Sequence, residues 1–157
     1  MTKKNKIEVL IILVLTVAIT YTVFHTLVFI TFIPTESMLP TLQVNETCIF
    51  VRSLQTKDIT VGDIVLFERD GSNMVKRIIA EPGDTVLIKD GSVFVNGEKQ
   101  SEPYVTGQTI SSVSTFEVPK DCYFVMGDNR EHSYDSRAWE DSYLEGKDIK
   151  GILRFSM

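Results

Sequence analysis

Between Val9 and Thr31 the chain carries no charged residue and is dominated by Val, Leu, Ile and Phe. As a helix rising 1.5 Å per residue, these 23 residues reach about 34 Å, enough to cover the roughly 30 Å hydrocarbon layer of a bilayer. The polar residues within the run, Thr16, Thr20, Tyr21, Thr22, His25 and Thr26, are mild ones and form no charged face. The run is longer than the apolar region of a signal peptide, and it leads into Phe32-Ile33-Pro34-Thr35 rather than a small-x-small cleavage site. The pattern predicts a retained membrane span. His25 sits about six residues from its outer end, near enough to the interface to be tolerated as a structural residue.

After Pro34 continuous apolarity gives way to short runs separated by turn residues. Thr47–Val51, Asp63–Phe67 and Cys122–Met126 are rich in β-formers and bounded by polar or glycine positions. Thr85–Ile88, Lys89-Asp90-Gly91 and Ser92–Val95 read as a hairpin, because Asp-Gly supplies the backbone geometry that short hairpins need. Asn96-Gly97 supplies a second turn. Residues 135–144 have room for a helical turn or two, and the Ser/Thr-rich stretch Thr106–Thr115 reads as a loop. The expected fold is mostly β, a barrel-like domain behind one N-terminal transmembrane helix.

Charge divides the chain at the same place. The 157 residues carry a formal −5, but the first eight hold +2 and residues 34–157 hold −7. Positive flanks stay on the cytoplasmic side, so Lys3, Lys4 and Lys6 orient the span. Residues 1–8 are then a cytoplasmic N-terminus, 9–33 the anchor, and 34–157 a domain on the outer face of the plasma membrane. An acidic domain of this kind speaks against a nucleic-acid partner. With two cysteines and two histidines, no disulfide scaffold, metal cluster or His-rich site is expected, and no phosphate-cradling glycine loop or cofactor motif appears. Cys48 and Cys122 fall inside strands and are expected to be buried thiols.

Candidate chemistry begins at Ser37, six residues beyond the apolar run and between Pro34 and Pro40, which stiffen the segment. A serine needs an activating base. His132 is the only histidine outside the anchor. Lys76 is the other candidate: it lies in the apolar run Met74–Ala80, and strand alternation puts it on the face of Met74 and Ile78. Burial there lowers a lysine pKa; a snorkelling lysine at a strand edge is the alternative from this segment alone.

Four boxes then occur in order: Ser37-Met38-x-Pro40-Thr41-Leu42, Gly62–Phe67, Lys76-Arg77-Ile78-Ile79-Ala80-x-Pro82-Gly83-Asp84, and Gly127-Asp128-Asn129-Arg130-x-x-Ser133-x-Asp135-Ser136-Arg137. Together, from the anchor to about Arg154, they closely resemble the bacterial type I signal peptidases, in their small Gram-positive form. The resemblance implies a Ser-Lys endopeptidase that removes signal peptides from exported preproteins without a cofactor. Ser37 then corresponds to the nucleophile and Lys76 to its base. The Ser37 amide and the Thr35 hydroxyl correspond to the oxyanion donors, and Ser133 to the serine that orients the lysine. Asp135 and Arg137 correspond to the ion pair that holds the loop. Ile33, Met38, Leu42 and Val75 match positions that line pockets for small side chains, with the substrate bound as an added strand. Against this stand a Ser37–His132–Asp135 arrangement, a dedicated processing peptidase of the same fold with one substrate, and an inactive anchored binding module.

Overall fold

A computed structural model describes residues 3–52, 58–109 and 113–157, and in it the long apolar run divides into two elements. Helix α1 spans Lys3–Leu27. Within Lys4–Leu27 the most apolar 18-residue window has a mean hydropathy of 2.4 and none of it is buried against the described residues, so the helix is long and apolar enough to cross a membrane. The run then turns into strand β1, Val28–Phe32, which pairs antiparallel with β2, Thr47–Val51. The helix thus ends earlier than the expected anchor over 9–33. Val28-Phe29-Ile30-Thr31-Phe32 consists entirely of β-branched and aromatic residues, which suit a pleated surface, and it pairs with β2 along its whole length. Of the expected segment 1–8, Met1, Thr2 and the side chain of Lys3 lie outside the described residues.

Nine further strands follow: β3 Ile64–Arg69, β4 Ser72–Ala80, β5 Thr85–Lys89, β6 Ser92–Val95, β7 Glu98–Lys99, β8 Ser114–Glu117, β9 Cys122–Met126, β10 Leu144–Glu145 and β11 Ile149–Ser156. They form a seven-stranded sheet in the order β1-β2-β11-β3-β4-β9-β10 and a four-stranded sheet in the order β7-β6-β5-β8. The mostly-β expectation holds. Among the described residues, however, both sheets are open, and β1 and β10 end the larger one instead of meeting to close a barrel.

Local sequence explains the hairpins. Asp90-Gly91 joins β5 to β6 with φ of +50° and +72°, and Asn96-Gly97 turns the chain again with +52° and +84°. These positive angles suit the right-handed twist of the flanking strands, and an Asx-Gly pair adopts them with little strain. Asp70-Gly71 makes the same turn between β3 and β4. The stretch read as a loop over Thr106–Thr115 is shorter than expected at its end, because β8 begins at Ser114; residues 110–112 lie outside the described residues. At Asp135–Leu144 a single turn forms, in which the amides of Ala138 and Trp139 both donate to the Asp135 carbonyl.

Three apolar clusters hold the sheets. One gathers Val65, Phe67, Ile78, Val125 and Trp139, and a second joins the two sheets through Ile79, Val86, Ile88, Phe124 and Met126. The third packs Ile33, Met38, Leu42, Phe50 and Leu66 beneath the β1–β2 connection. Fully burying a side chain such as Phe50 contributes about 1.5–3 kcal/mol, so this third cluster fixes the residues on either side of Ser37. Both cysteines are free thiols, with Cys48 buried and Cys122 only partly so, since it starts β9 at the edge of the second cluster. Burial pushes the Cys48 thiol up to about 11. It stays protonated and inert at neutral pH.

Candidate active site

Ser37 lies in a single 3-10 turn, Glu36–Met38, between β1 and β2. The turn is pinned from below by Met38 and Leu42 and closed by backbone bonds from Ile33 N to Glu46 O and from Asn45 N to Ile33 O. It is also clamped from above. Asn129 donates its backbone N–H to the Ser37 carbonyl at 3.0 Å and its side-chain Nδ2 to the Glu36 carbonyl at 3.1 Å. The nucleophile candidate is therefore positioned by a segment more than ninety residues away in sequence.

Lys76 enters from β4. Its Nζ lies 2.7 Å from Ser37 Oγ, and both residues are buried, at 3% and 6% exposure. Burial pushes the Lys76 amine down to about 8; Asp135 and Asp128 pull it back up, and Arg137 adds to the lowering. An amine in that range is neutral for a sizeable fraction of the time near pH 8, and a neutral amine accepts the proton of the hydroxyl it faces. Thr35 Oγ1 sits 3.3 Å from Ser37 Oγ.

Ser133 was expected to hydrogen-bond the lysine. Its hydroxyl instead donates to Asp135 Oδ2 at 2.6 Å, and Lys76 bonds Ser37. The reason is the acceptor: a buried carboxylate outcompetes an amine for a hydroxyl proton. Asp135 is wholly buried and also accepts from Gly127 N, from Arg137 Nε at 2.8 Å and from Arg137 Nη2 at 2.8 Å. Burial alone would raise its pKa, but the Arg137 hydrogen bonds and charge, with those of Ser133 and Gly127, outweigh it and hold the carboxyl below its usual range.

A cleft of about 230 Å³ opens beside Ser37 and Lys76. Of the four residues expected to line a substrate pocket, Ile33, Met38 and Val75 border this cleft. Leu42 does not: it is buried in the cluster under the turn, where its amide bonds the Met38 carbonyl. His132 is in the lining as well, yet the hydroxyl of Ser37 is bonded to Lys76 and Thr35. The walls of the cleft are strand edges. Among the described residues β1 pairs only with β2, and the Ser72–Lys76 stretch of β4 pairs only with β3, since β9 joins β4 from Arg77 onward. Each edge presents unpaired backbone donors and acceptors to the space between them.

Sequence reading singled out the Gly127–Arg130 box without assigning its members. Asp128 accepts from Arg77 Nε and Nη2 at 2.9 and 2.6 Å and from the Thr41 hydroxyl, tying β4 to the chain just past Ser37. Arg130 is fully buried and paired by Glu102, with Nη1 to Oε2 at 3.1 Å and Nη2 to Oε1 at 2.5 Å, while its Nε donates to the Gly127 carbonyl. For Arg77 the available signal was charge in apolar surroundings, between Val75 and Ile78; Arg130 stands in a polar stretch and had no such signal. Glu102 had none. Glu102→Ala leaves the Arg130 guanidinium buried and uncompensated, an expected loss of about 3–5 kcal/mol. Thermal melting measures it, and Glu102→Gln, which keeps an acceptor, should lose less.

The family model described as "Signal peptidase, peptidase S26" matches residues 6–157, so the chain belongs to that family. It is 38% identical over 117 residues to the probable signal peptidase I-2 of Synechocystis, covering 69% of this chain and 54% of that protein. To the signal peptidase I of Bacillus amyloliquefaciens it is 40% identical over 132 residues, covering 76% and 70%. A signal peptidase I from Leptolyngbya laminosa is 35% identical over 137 residues, covering 79% and 66%. The alignments thus span between about half and two thirds of the Synechocystis and Leptolyngbya relatives. The crystal structure of a signal peptidase I from Enterococcus faecalis superposes with a TM-score of 0.53 at 30% identity, over 60% of this chain and 96% of that one.

Proposed function

We propose that this chain is a membrane-anchored serine endopeptidase that removes N-terminal signal peptides from exported preproteins, using Ser37 as nucleophile and Lys76 as general base. The observation that carries the reading is the buried 2.7 Å contact between Lys76 Nζ and Ser37 Oγ, with the amine pushed down to about 8. In the reaction, neutral Lys76 takes the Ser37 proton as Oγ attacks the scissile carbonyl carbon. The resulting ammonium returns a proton to the leaving amine, and an acyl-enzyme remains. Lys76 then deprotonates the water that attacks the ester, and Ser37 leaves with the proton restored.

The developing oxyanion needs donors, and the Ser37 amide and the Thr35 hydroxyl, 3.3 Å from Oγ, are assigned that role. Asp135 and Arg137 hold the Gly127–Arg137 loop, while Ser133, bonded to Asp135, packs beside Gly127 and the Ser37 turn. Substrate lies extended between β1 and β4, with small side chains entering the space beside Ile33, Met38 and Val75. The partners are the preprotein and the bilayer: α1 spans the membrane with Lys3, Lys4 and Lys6 on the cytoplasmic side, so that the catalytic domain faces outward. No cofactor enters the chemistry.

The test is turnover of a synthetic signal-peptide substrate by the full chain in detergent micelles. Wild type should cut after a small residue, and Ser37→Ala should lose cutting while melting at the same temperature. An intact substrate after prolonged incubation with wild type, or cutting that survives Ser37→Ala, would overturn the reading. The pH profile is a further expected result. The rate rises with pH through about 8, because the neutral fraction of Lys76 grows there. Steady-state cleavage between pH 6 and 10 measures the limb, and a flat profile across that range speaks against a lysine base.

A further inference from the structure

Asn73 stands in the wall of the cleft, exposed, three residues before Lys76 along β4. One end of its amide is already engaged. Lys150 Nζ, reaching over from β11, donates to Asn73 Oδ1 at 2.8 Å and to Glu68 Oε2 at 2.5 Å. Glu68 faces Asn73 directly across the β3–β4 ladder, so the three side chains form a row on one face of the sheet.

The chemistry of that row fixes the amide. An ammonium has donors and no acceptor, so only the carbamoyl oxygen of Asn73 can face it. The NH2 group is thereby turned away from Lys150, and among the described residues it donates to no protein group. Val75 and Leu66, which share this face of the sheet, line the same cleft. A hydrogen-bond donor with a fixed direction is left at the wall of a groove whose edges suit an extended peptide.

We infer that Asn73 is a substrate-binding residue whose Nδ2 donates to an acceptor oxygen of the bound peptide, and that Lys150 and Glu68 are positioning residues that orient it. The inference rests on the reading of the cleft as a peptide site. At about 3.3 Å per strand residue, Asn73 lies about 10 Å along β4 from Lys76. The acceptor therefore belongs to a residue about three positions from the scissile bond, and a backbone carbonyl is the oxygen every peptide offers there.

The experiment measures peptide binding in the full chain carrying Ser37→Ala, with a fluorescently labelled signal-peptide segment as the probe and anisotropy as the readout. One neutral hydrogen bond predicts that adding Asn73→Ala weakens Kd about three- to tenfold. Asn73→Asp keeps an oxygen for Lys150 but no donor, and should lose at least as much. Lys150→Met frees the amide to rotate and should weaken binding by about two- to threefold; combined with Asn73→Ala it should add nothing, since it acts through Asn73. In the Ser37 protein the Asn73 variants should raise KM and hold kcat within about twofold, the pattern of an interaction made equally in ground and transition states. Unchanged Kd in Asn73→Ala, or parental binding by Asn73→Asp, overturns the assignment of Asn73. Additivity of Lys150→Met with Asn73→Ala overturns the positioning role. A Ser37→Ala parent that fails to bind the probe overturns the peptide-site reading and this inference with it. Loss of cutting by wild type with binding intact strikes only the catalytic reading.

Discussion

Lys76→Met is expected to lower kcat/KM for a signal-peptide substrate by about 10²–10⁴-fold, the contribution of a positioned general base, while raising the melting temperature at pH 7. The two effects share one cause. Burial pulls the folded-state amine from 10.5 to about 8, whereas the unfolded chain keeps the ordinary value. Between about 8 and 10.5 the unfolded state binds more protons, so the contribution of this group to stability improves as pH rises through that window. Below 8 the folded chain carries the full penalty of a buried ammonium. Methionine fills similar space without that penalty, so its advantage should be largest at pH 6–7 and fade by pH 10. Calorimetric melts across that range, set beside cleavage rates, separate the two readouts. His132→Ala should cost less than tenfold in rate. A collapse of cleavage in His132→Ala with Lys76→Met still active would transfer the base to the histidine.

Gly127→Ala is the second large expected effect. A Cβ at residue 127 would lie 2.5 Å from the Ser37 carbonyl oxygen and press against Oγ and Cβ of Ser133. Neither neighbour can yield cheaply. The Ser37 carbonyl is backbone, held by Asn129, and Ser133 is held by Asp135. Inserting a methyl into such packing typically costs about 1–3 kcal/mol. The larger consequence is displacement of the turn that carries Oγ, where a shift of about 1 Å can cost on the order of 10²-fold. We expect kcat/KM to fall by at least about that factor with only a modest loss in melting temperature. Activity within a few-fold of wild type would mean that Gly127 does not set the position of Ser37.

What the sequence revealed and what it concealed follow from the range of the interactions. Strands β2 and β9 appear with the expected bounds because alternation and flanking turn residues are local signals. Strand β1 was hidden inside the apolar run, since Val28–Phe32 is as apolar as the helix before it and only its pairing with β2 separates the two. Strand β11, in the middle of the larger sheet, was missed outright: Lys150, Gly151 and Arg154 break its pattern. Gly151 is there because a side chain would crowd the Val51 carbonyl of β2, a tertiary reason invisible in the segment itself. Ser37 and Lys76 were legible from their boxes and the structure brings them together. The actual partner of Ser133, the burial of Leu42 away from the cleft, and the Glu102–Arg130 pair depend on which acceptors and cavities the folded chain happens to offer.

The two unpaired strand edges that wall the cleft have a consequence for breadth of recognition. Amide and carbonyl groups are common to every polypeptide, so an extended segment bound as proposed between β1 and β4 would be gripped through what all clients share. Discrimination would then be left to the few side chains that meet Ile33, Met38 and Val75, which line the cleft. A site working in this way would tolerate wide variation along the rest of the bound segment, and two or three small residues would be enough to mark where the cut falls.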